Sequence, residues 1–392
     1  MRNFRTISFL AFIFLLVTCF VAACGDDDDD DDNNAAHCEV LFAPEEWNAG
    51  AYALQTNSHQ DVRAMLLLQT LEGGSRTLYT GGLFDGDWVL EPWLTLSRDN
   101  SQFFSVVDDA GYLHVSYRKG NYPACDQYYG TTDPAGPSSQ VVENTDYIGW
   151  QSPIALDPSG RPVIVYGLGE NQPIPLYVAR LQSGEWTREA VEIGGEAVLA
   201  DKNTQLAIDG LGALHILLGG FGDFTYLTDA SGEWTSQAVP LPETNWLQTM
   251  AMTAAGDIYA LFLDNWDDEQ FYVVTNESGE WESTSVSGLR HYLAGGDMAL
   301  DAEGNVHVVF AAESEDHEDG VFHVTNASGG WETQEIALRE ANPEEYSSGV
   351  VHMSDARIAV AGGTVYLLFE ARDKFYAADF NVENPEEIRC DD

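Results

Sequence analysis

The chain repeats itself, and the repeat limits what it can become. An apolar residue is followed by Asp-x-x-Gly and then by an alternating stretch with His or Tyr at a fixed place. The clearest copies run Val107 to Val115, Leu156 to Gly160, Ile208 to Ile216 and Leu300 to Val308, and weaker ones centre on Gly256 with Tyr259 and on Gly363 with Tyr366. The turn glycines Gly111, Gly160, Gly212, Gly256, Gly304 and Gly363 are spaced 49, 52, 44, 48 and 59 residues apart, which is the length of a four-stranded propeller blade. Each glycine falls where a tight hairpin needs positive φ, and the aspartate is placed to accept hydrogen bonds from the turn's own amides. These aspartates therefore read as turn-formers rather than catalysts.

Further along each period comes a second strand, a second turn and a tryptophan. Examples are Tyr226 to Thr228 before Ser231-Gly232-Glu233-Trp234, Tyr272 to Thr275 before Ser278-Gly279-Glu280-Trp281, Phe322 to Thr325 before Ser328-Gly329-Gly330-Trp331, and Leu176 to Ala179 before Ser183-Gly184-Glu185-Trp186. Four strands per period with no helical pattern between them argue against βαβ units and for an all-β fold. The expectation is a β-propeller of seven four-stranded blades, with six and eight as the neighbouring counts. Six blades are evident, and Met65 to Trp93, with Leu78 to Gly82 and Gly86-Asp87-Trp88, reads as a degenerate seventh. The last blade has three strands, ending near Tyr376 to Phe380, and lacks the Ser-Gly-x-Trp turn. The N-terminal segment Glu39 to Trp47 is expected to supply the missing outer strand and close the ring.

Residues 1–23 have the form of a secretory signal, with Arg2 and Arg5 before the uncharged run Ile7 to Ala23. No later segment is apolar enough to span a bilayer. The run ends in Val21-Ala22-Ala23-Cys24-Gly25, which resembles the lipobox of bacterial lipoproteins. That resemblance implies that Cys24 is acylated and that the chain is held to a membrane by its lipid; the alternative is an uncleaved N-terminal anchor. Residues 24–37 then form an acidic tether, because Asp26 to Asp32 repel one another and offer nothing apolar to bury. In some Gram-negative groups, acidic residues after the acylated cysteine resemble a signal for surface display, so the expected place is the outer membrane of the cell envelope. A plain spacer is the competing reading. Residues 38–392 make the propeller.

The 17 Lys and Arg against 64 Asp and Glu give a net charge of −47, which repels nucleic acid and excludes it as a partner. Solubility as a monomer is the plainest use of such charge. Of five cysteines, Cys19 leaves with the signal and Cys24 carries lipid. Cys38 and Cys390 flank the propeller, where ring closure would bring them together, and an exported chain keeps disulfides. A Cys38–Cys390 bridge is expected, leaving Cys125 as an odd thiol with a structural or incidental role.

In a propeller, the hairpins joining strands one to two and three to four share a face, so the regular Asp-x-x-Gly and Ser-Gly-x-Trp turns fall together. The irregular connections gather on the other face with most of the exposed-looking aromatics and acids. Tyr147, Trp150, Trp246, Trp266, Tyr292 and Tyr346 are the candidate ligand contacts there, with Phe221, His291, His317 and His352 nearby in sequence. Rings beside carboxylates suit sugars by stacking or cationic peptides by cation–π contact, while the plainer alternative is that they pack their own loops. The acidic segments Asp264 to Glu269 and Glu313 to Gly320 make calcium conceivable, though neither has the ligand spacing of an EF-hand loop. No other cofactor is expected.

The turns Asp229 to Trp234 and Asn276 to Trp281 resemble a shortened Asp-box turn of the sialidase-like propellers, which joins the third and fourth strands of a blade. They lack the leading serine two residues before the aspartate and one residue before the tryptophan, and no start of a sialidase arginine triad is recognisable. No carboxylate pair, Gly-x-Ser-x-Gly, His-Glu-x-x-His or phosphate loop is singled out. The reading that results is a cell-envelope binding module for a glycan or protein ligand, with no catalytic residue named. The alternative is a glycoside hydrolase or lyase acting on extracellular polysaccharide.

Overall fold

The computed structural model describes residues 37–42, 47–70, 76–96, 103–121, 124–145, 148, 151–168, 174–220, 223–241, 245–264, 270–286, 293–313, 319–338, 354–371, 374–381 and 389–390. They form seven antiparallel blades. Blade 1 comprises Trp47–Thr56, Val62–Thr70, Arg76–Phe84 and Asp87–Leu96. Blade 2 comprises Phe103–Val107, Leu113–Asn121, Ala124–Thr131 and Gln140–Glu143. Blade 3 comprises Ile154–Leu156, Pro162–Gly167, Leu176–Gln182 and Glu185–Ala190. Blade 4 comprises Asn203–Ile208, Leu214–Gly220, Asp223–Thr228 and Thr235–Val239. Blade 5 comprises Asn245–Met252, Ile258–Asp264, Gln270–Thr275 and Glu282–Ser285. Blade 6 comprises Leu293–Leu300, Val306–Glu313, Asp319–Thr325 and Glu332–Leu338.

Blade 7 takes Ser354–Ala361, Thr364–Ala371 and Lys374–Asn381 from the end of the chain and its outer strand, His37–Phe42, from the start. His37–Phe42 runs antiparallel to Lys374–Asn381, with Cys38 opposite Ala378. The closing strand is therefore where the sequence put it, but shorter: Trp47 already belongs to the inner strand of blade 1. Each inner strand contacts the next, and that of blade 7 contacts that of blade 1, so the ring is shut. Two small additions are a hairpin of Glu192–Ile193 with Glu196–Ala197 and Arg389–Cys390, which runs parallel to the outer strand of blade 6.

Burial follows from position in the blade. Pro162–Gly167 is buried at every residue, as expected of a strand covered on both sides. Val163 and Val165 enter the apolar cluster shared with blade 4, and Ile164 and Tyr166 enter the cluster shared with blade 2. There are seven such clusters, one in each blade interface. The outer strands carry the opposite pattern, with Glu185–Ala190 and Glu282–Ser285 largely exposed. Charge collected there discourages the free edges from pairing with other chains.

The turns behave as the repeat requires. Asp209 Oδ1 accepts from the amides of Leu211 and Ala213 at 2.9 and 2.8 Å, and Asp301 Oδ1 accepts from Glu303 and Asn305 at 3.0 and 2.7 Å. Gly212 closes its turn at a φ of 91°, which a side chain would strain. In blade 5 a threonine does the work of the aspartate, Thr253 Oγ1 accepting from the Asp257 amide at 3.1 Å. The second turn has its own cap: Asp229, Asn276 and Asn326 each accept, through Oδ1, the first amide of the second strand, at 2.7, 2.7 and 2.8 Å.

Candidate functional site

The most reactive-looking group of side chains among the described residues is a repeated one. Asp108, Asp209 and Asp301 direct Oδ2 to the histidine of the following strand, His114 at 3.2 Å, His215 at 3.5 Å and His307 at 3.4 Å. The other ring nitrogen meets Tyr129 Oη at 2.7 Å, Tyr226 Oη at 2.5 Å and, in blade 6, His323 Nε2 at 3.0 Å. By residue type this is the set that could activate a hydroxyl nucleophile. Its surroundings give it another role, because His114, His215 and His307 are buried. Recurrence in blades 2, 4 and 6 marks a brace between the first turn and the third strand. Burial drives His307 below the usual range and His323 down to about 3. Although burial acts against it, the Asp209 carboxyl is held below the usual range by the turn amides and His215.

A second polar set, invisible in the repeat, encircles the axis. At least one side-chain hydrogen bond near the axis crosses each of the seven blade junctions. Gln55 Nε2 donates to the Ser105 carbonyl at 2.6 Å, and Ser116 Oγ donates to the Ser152 carbonyl. Gln151 Oε1 accepts from the Thr204 amide at 2.6 Å, and Gln205 Nε2 donates to the Gln248 carbonyl at 3.3 Å. Gln248 Oε1 accepts from the Gly296 amide at 3.4 Å, Asp297 Oδ2 from the Ile358 amide at 3.3 Å, and Thr56 Oγ1 donates to the Val360 carbonyl at 3.4 Å. Inner strands are sheet edges with unpaired backbone groups, and apart from the Ser116 bond, which comes from the second strand of blade 2, this girdle pairs them across the gap to the next blade.

The girdle lines an axial cavity of about 730 Å³. Among its described lining residues, Asp297 is the one carboxylate and Arg357 the one guanidinium. Burial raises the Asp297 pKa, against the pull of Arg357 and of the Met298 and Ile358 amides. A neighbouring cavity of about 920 Å³, sharing Gln55, Ser105, Gln205 and Thr249 with the first, reaches the Asp108 to Ala110 and Asp157 to Gly160 turns. The axis is thus open toward the regular-turn face.

Of the expected ligand contacts, Trp246 lies within the described residues. It is the second residue of the inner strand of blade 5, at the end opposite the Thr253 to Gly256 turn, and is 37% exposed, one of few large apolar side chains so placed among the described residues. Its carbonyl accepts from Gln248 Nε2 at 3.4 Å, which ties the tryptophan's backbone to a girdle residue. Tyr147, Trp150, Trp266, Tyr292 and Tyr346 lie outside the described residues, as do Cys24 and most of the two acidic segments considered for calcium. Among the described residues no group of three His, Cys, Asp or Glu is placed to hold a metal ion. Cys125 is buried, and that burial raises its pKa, the reverse of what a nucleophilic thiol needs. Cys38 sits in the closing strand, and the backbone of Cys390 lies beside the outer strand of blade 6, next to that closing strand.

No known family matches the sequence, and no curated protein matches it. The fold has solved counterparts. An ulvan lyase of polysaccharide lyase family 25 aligns with a TM-score of 0.53 at 11% identity, over 86% of this chain and 94% of its own. The polysaccharide lyase Uly1 aligns with a TM-score of 0.50 at 11% identity, over 84% of this chain and 89% of its own. A Hadza microbial sialidase, Hz136, gives a TM-score of 0.45 at 12% identity, over 81% of this chain and 76% of its own. What the two lyases share with this chain is the propeller fold.

Proposed function

We propose that this chain is a cell-envelope lipoprotein whose propeller binds a glycan or protein ligand on the loop face, with Trp246 among the contacts. The observation that carries the reading is Trp246 itself, a large apolar ring left exposed on an inner strand next to the buried Leu247. Exposed aromatics on rigid strands are the usual anchors of sugar and peptide recognition. Tyr147, Trp150, Trp266, Tyr292 and Tyr346 complete the proposed contact set. Lipid on Cys24 fixes the chain to the membrane, the aspartate run spaces it from the surface, and a Cys38–Cys390 bridge secures the closed ring.

One experiment tests the reading. The intact protein, purified in detergent, is probed against glycan and peptide arrays, and incubated with the polysaccharides it binds. A ligand whose binding is lost in Trp246→Ala, with no rise in reducing ends or unsaturated product, is the expected result. If every ligand found survives Trp246→Ala, the site lies elsewhere, and product release makes the protein a hydrolase or lyase. Labelled palmitate retained by Cys24→Ala would remove the lipid anchor from the account.

A further inference from the structure

A cleft of about 400 Å³ opens between the Asp157 to Pro162 turn of blade 3 and the Leu211 to Gly212 turn of blade 4. It lies on the regular-turn face, at the ends of the strands away from Trp246, and does not depend on that site. Arg180, from the third strand of blade 3, lines it with a side chain 25% exposed. Two carboxylates flank the guanidinium: Glu189 Oε1 is 3.7 Å from Nε, and Asp229 Oδ2 is 3.7 Å from Nη2. At that distance charge is balanced but no hydrogen bond is made. Among the described residues the guanidinium finds no acceptor within hydrogen-bond range, although an arginine carries five donors.

The neighbouring groups show what satisfied partners look like. Arg161, in the same cleft, is locked to Asp157 Oδ2 through Nε at 2.8 Å and Nη2 at 2.7 Å. Asp229 engages its Oδ1 with the Leu214 amide at 2.7 Å and turns Oδ2 toward Arg180. The rim is apolar: Pro158, Leu181 and Leu211 line it, and Leu211, at the tip of its turn, is 96% exposed. An apolar side chain and a guanidinium with donors open to water thus line one cleft, a pairing that offers a ligand both an apolar face and a hydrogen-bond donor.

We propose that this cleft binds a neutral sugar ring. Charge decides the class. An anion would have to enter beside three carboxylates, Asp157, Glu189 and Asp229, on a chain of net charge −47, and a cation would find those carboxylates already engaged by Arg161 and Arg180. A hydroxyl meets neither obstacle. Set beside Arg180, it accepts from the guanidinium while donating to Glu189 or Asp229, so that one long charge contact becomes two short hydrogen bonds. Pro158, Leu181 and Leu211 then cover the C–H face of the ring.

The test uses the intact protein in detergent with the methyl glycosides of glucose, galactose, mannose and fucose as neutral probes, and methyl glucuronide and an acidic peptide as charged ones. Saturation-transfer NMR with titration reads the affinities. At least one neutral glycoside should bind, about tenfold more weakly in Arg180→Gln, where the charged donor is gone. Binding should also weaken several-fold in Leu211→Ala, and remain unchanged in Trp246→Ala. Leu211 is on the surface, so its variant keeps the test open if Arg180→Gln fails to fold. Binding indifferent to both variants, no binding of any neutral probe, or preference for the glucuronide or the peptide would overturn the proposal.

Discussion

His323 occupies in blade 6 the place that Tyr129 and Tyr226 hold in blades 2 and 4, and the exchange changes how the blade responds to acid. All three face a histidine ring nitrogen, but His323 stacks on His307 with ring centroids 5.3 Å apart and sits edge-on to Phe380 of blade 7. Burial keeps it neutral, with a pKa of about 3. The unfolded chain takes up its proton near the ordinary histidine value of about 6.5, so between those limits the unfolded state binds more protons. Stability is whole above about pH 6.5 and falls as the pH drops toward 3, by roughly 1 kcal/mol per pH unit. His323→Tyr restores the hydroxyl found in the other two blades and removes this titration. Its melting temperature is expected to fall less than that of the wild type between pH 7 and pH 4.5; equal falls would show that His323 is not the sensitive group. The sequence placed the histidine and its partner each at a fixed point of the repeat, the partner two residues before Thr131, Thr228 or Thr325, but not their contact, because the two lie on different strands and meet only once the blade is formed.

Among elements, the outer turn carries more than its loop-like sequence suggests. Trp281, just before the outer strand of blade 5, packs on Tyr226 of blade 4 with ring centroids 5.3 Å apart, and Trp186 of blade 3 meets Tyr129 of blade 2 at 5.4 Å. Trp234 and Trp331 likewise reach the clusters shared with the preceding blade. Each tryptophan is thus a pin from one blade into the one before it. Trp281→Ala should cost about 3 to 5 kcal/mol, the usual loss for a large buried ring, measured by denaturant unfolding. A loss under about 1 kcal/mol would mean that the interface closes without the pin. The Ser-Gly-x-Trp signal was legible because its residues are contiguous, and so was the closing strand, because the last blade was one strand short. The axial girdle was not. Gln55, Gln151, Gln205 and Gln248 act across junctions between blades distant in sequence, two donating to carbonyls and two accepting from amides, and a lone glutamine announces neither role.

For the whole molecule, closure is the one point at which the ring can open, since every other blade is continuous in the chain. The closing strand is six residues, His37–Phe42, and its hold on Lys374–Asn381 is all that turns the last three strands into a complete blade. A covalent tie there acts on the unfolded state, where it joins positions that bracket nearly the entire propeller and removes chain entropy that refolding would otherwise have to lose. Cys38 stands in the closing strand, and Cys390 lies on a two-residue strand against blade 6, alongside it. That placement supports the bridge expected from sequence. It should add about 2 to 4 kcal/mol, less than loop length alone suggests because the strand already holds by its own pairing. Reduction, or Cys38→Ser with Cys390→Ser, should lower the melting temperature and leave Cys125 unmodified in the folded state, since its thiol is buried. Peptide mapping without reductant that recovers Cys38 and Cys390 as free thiols would remove the bridge, and the ring would then be closed by hydrogen bonds and the blade 7 interfaces alone.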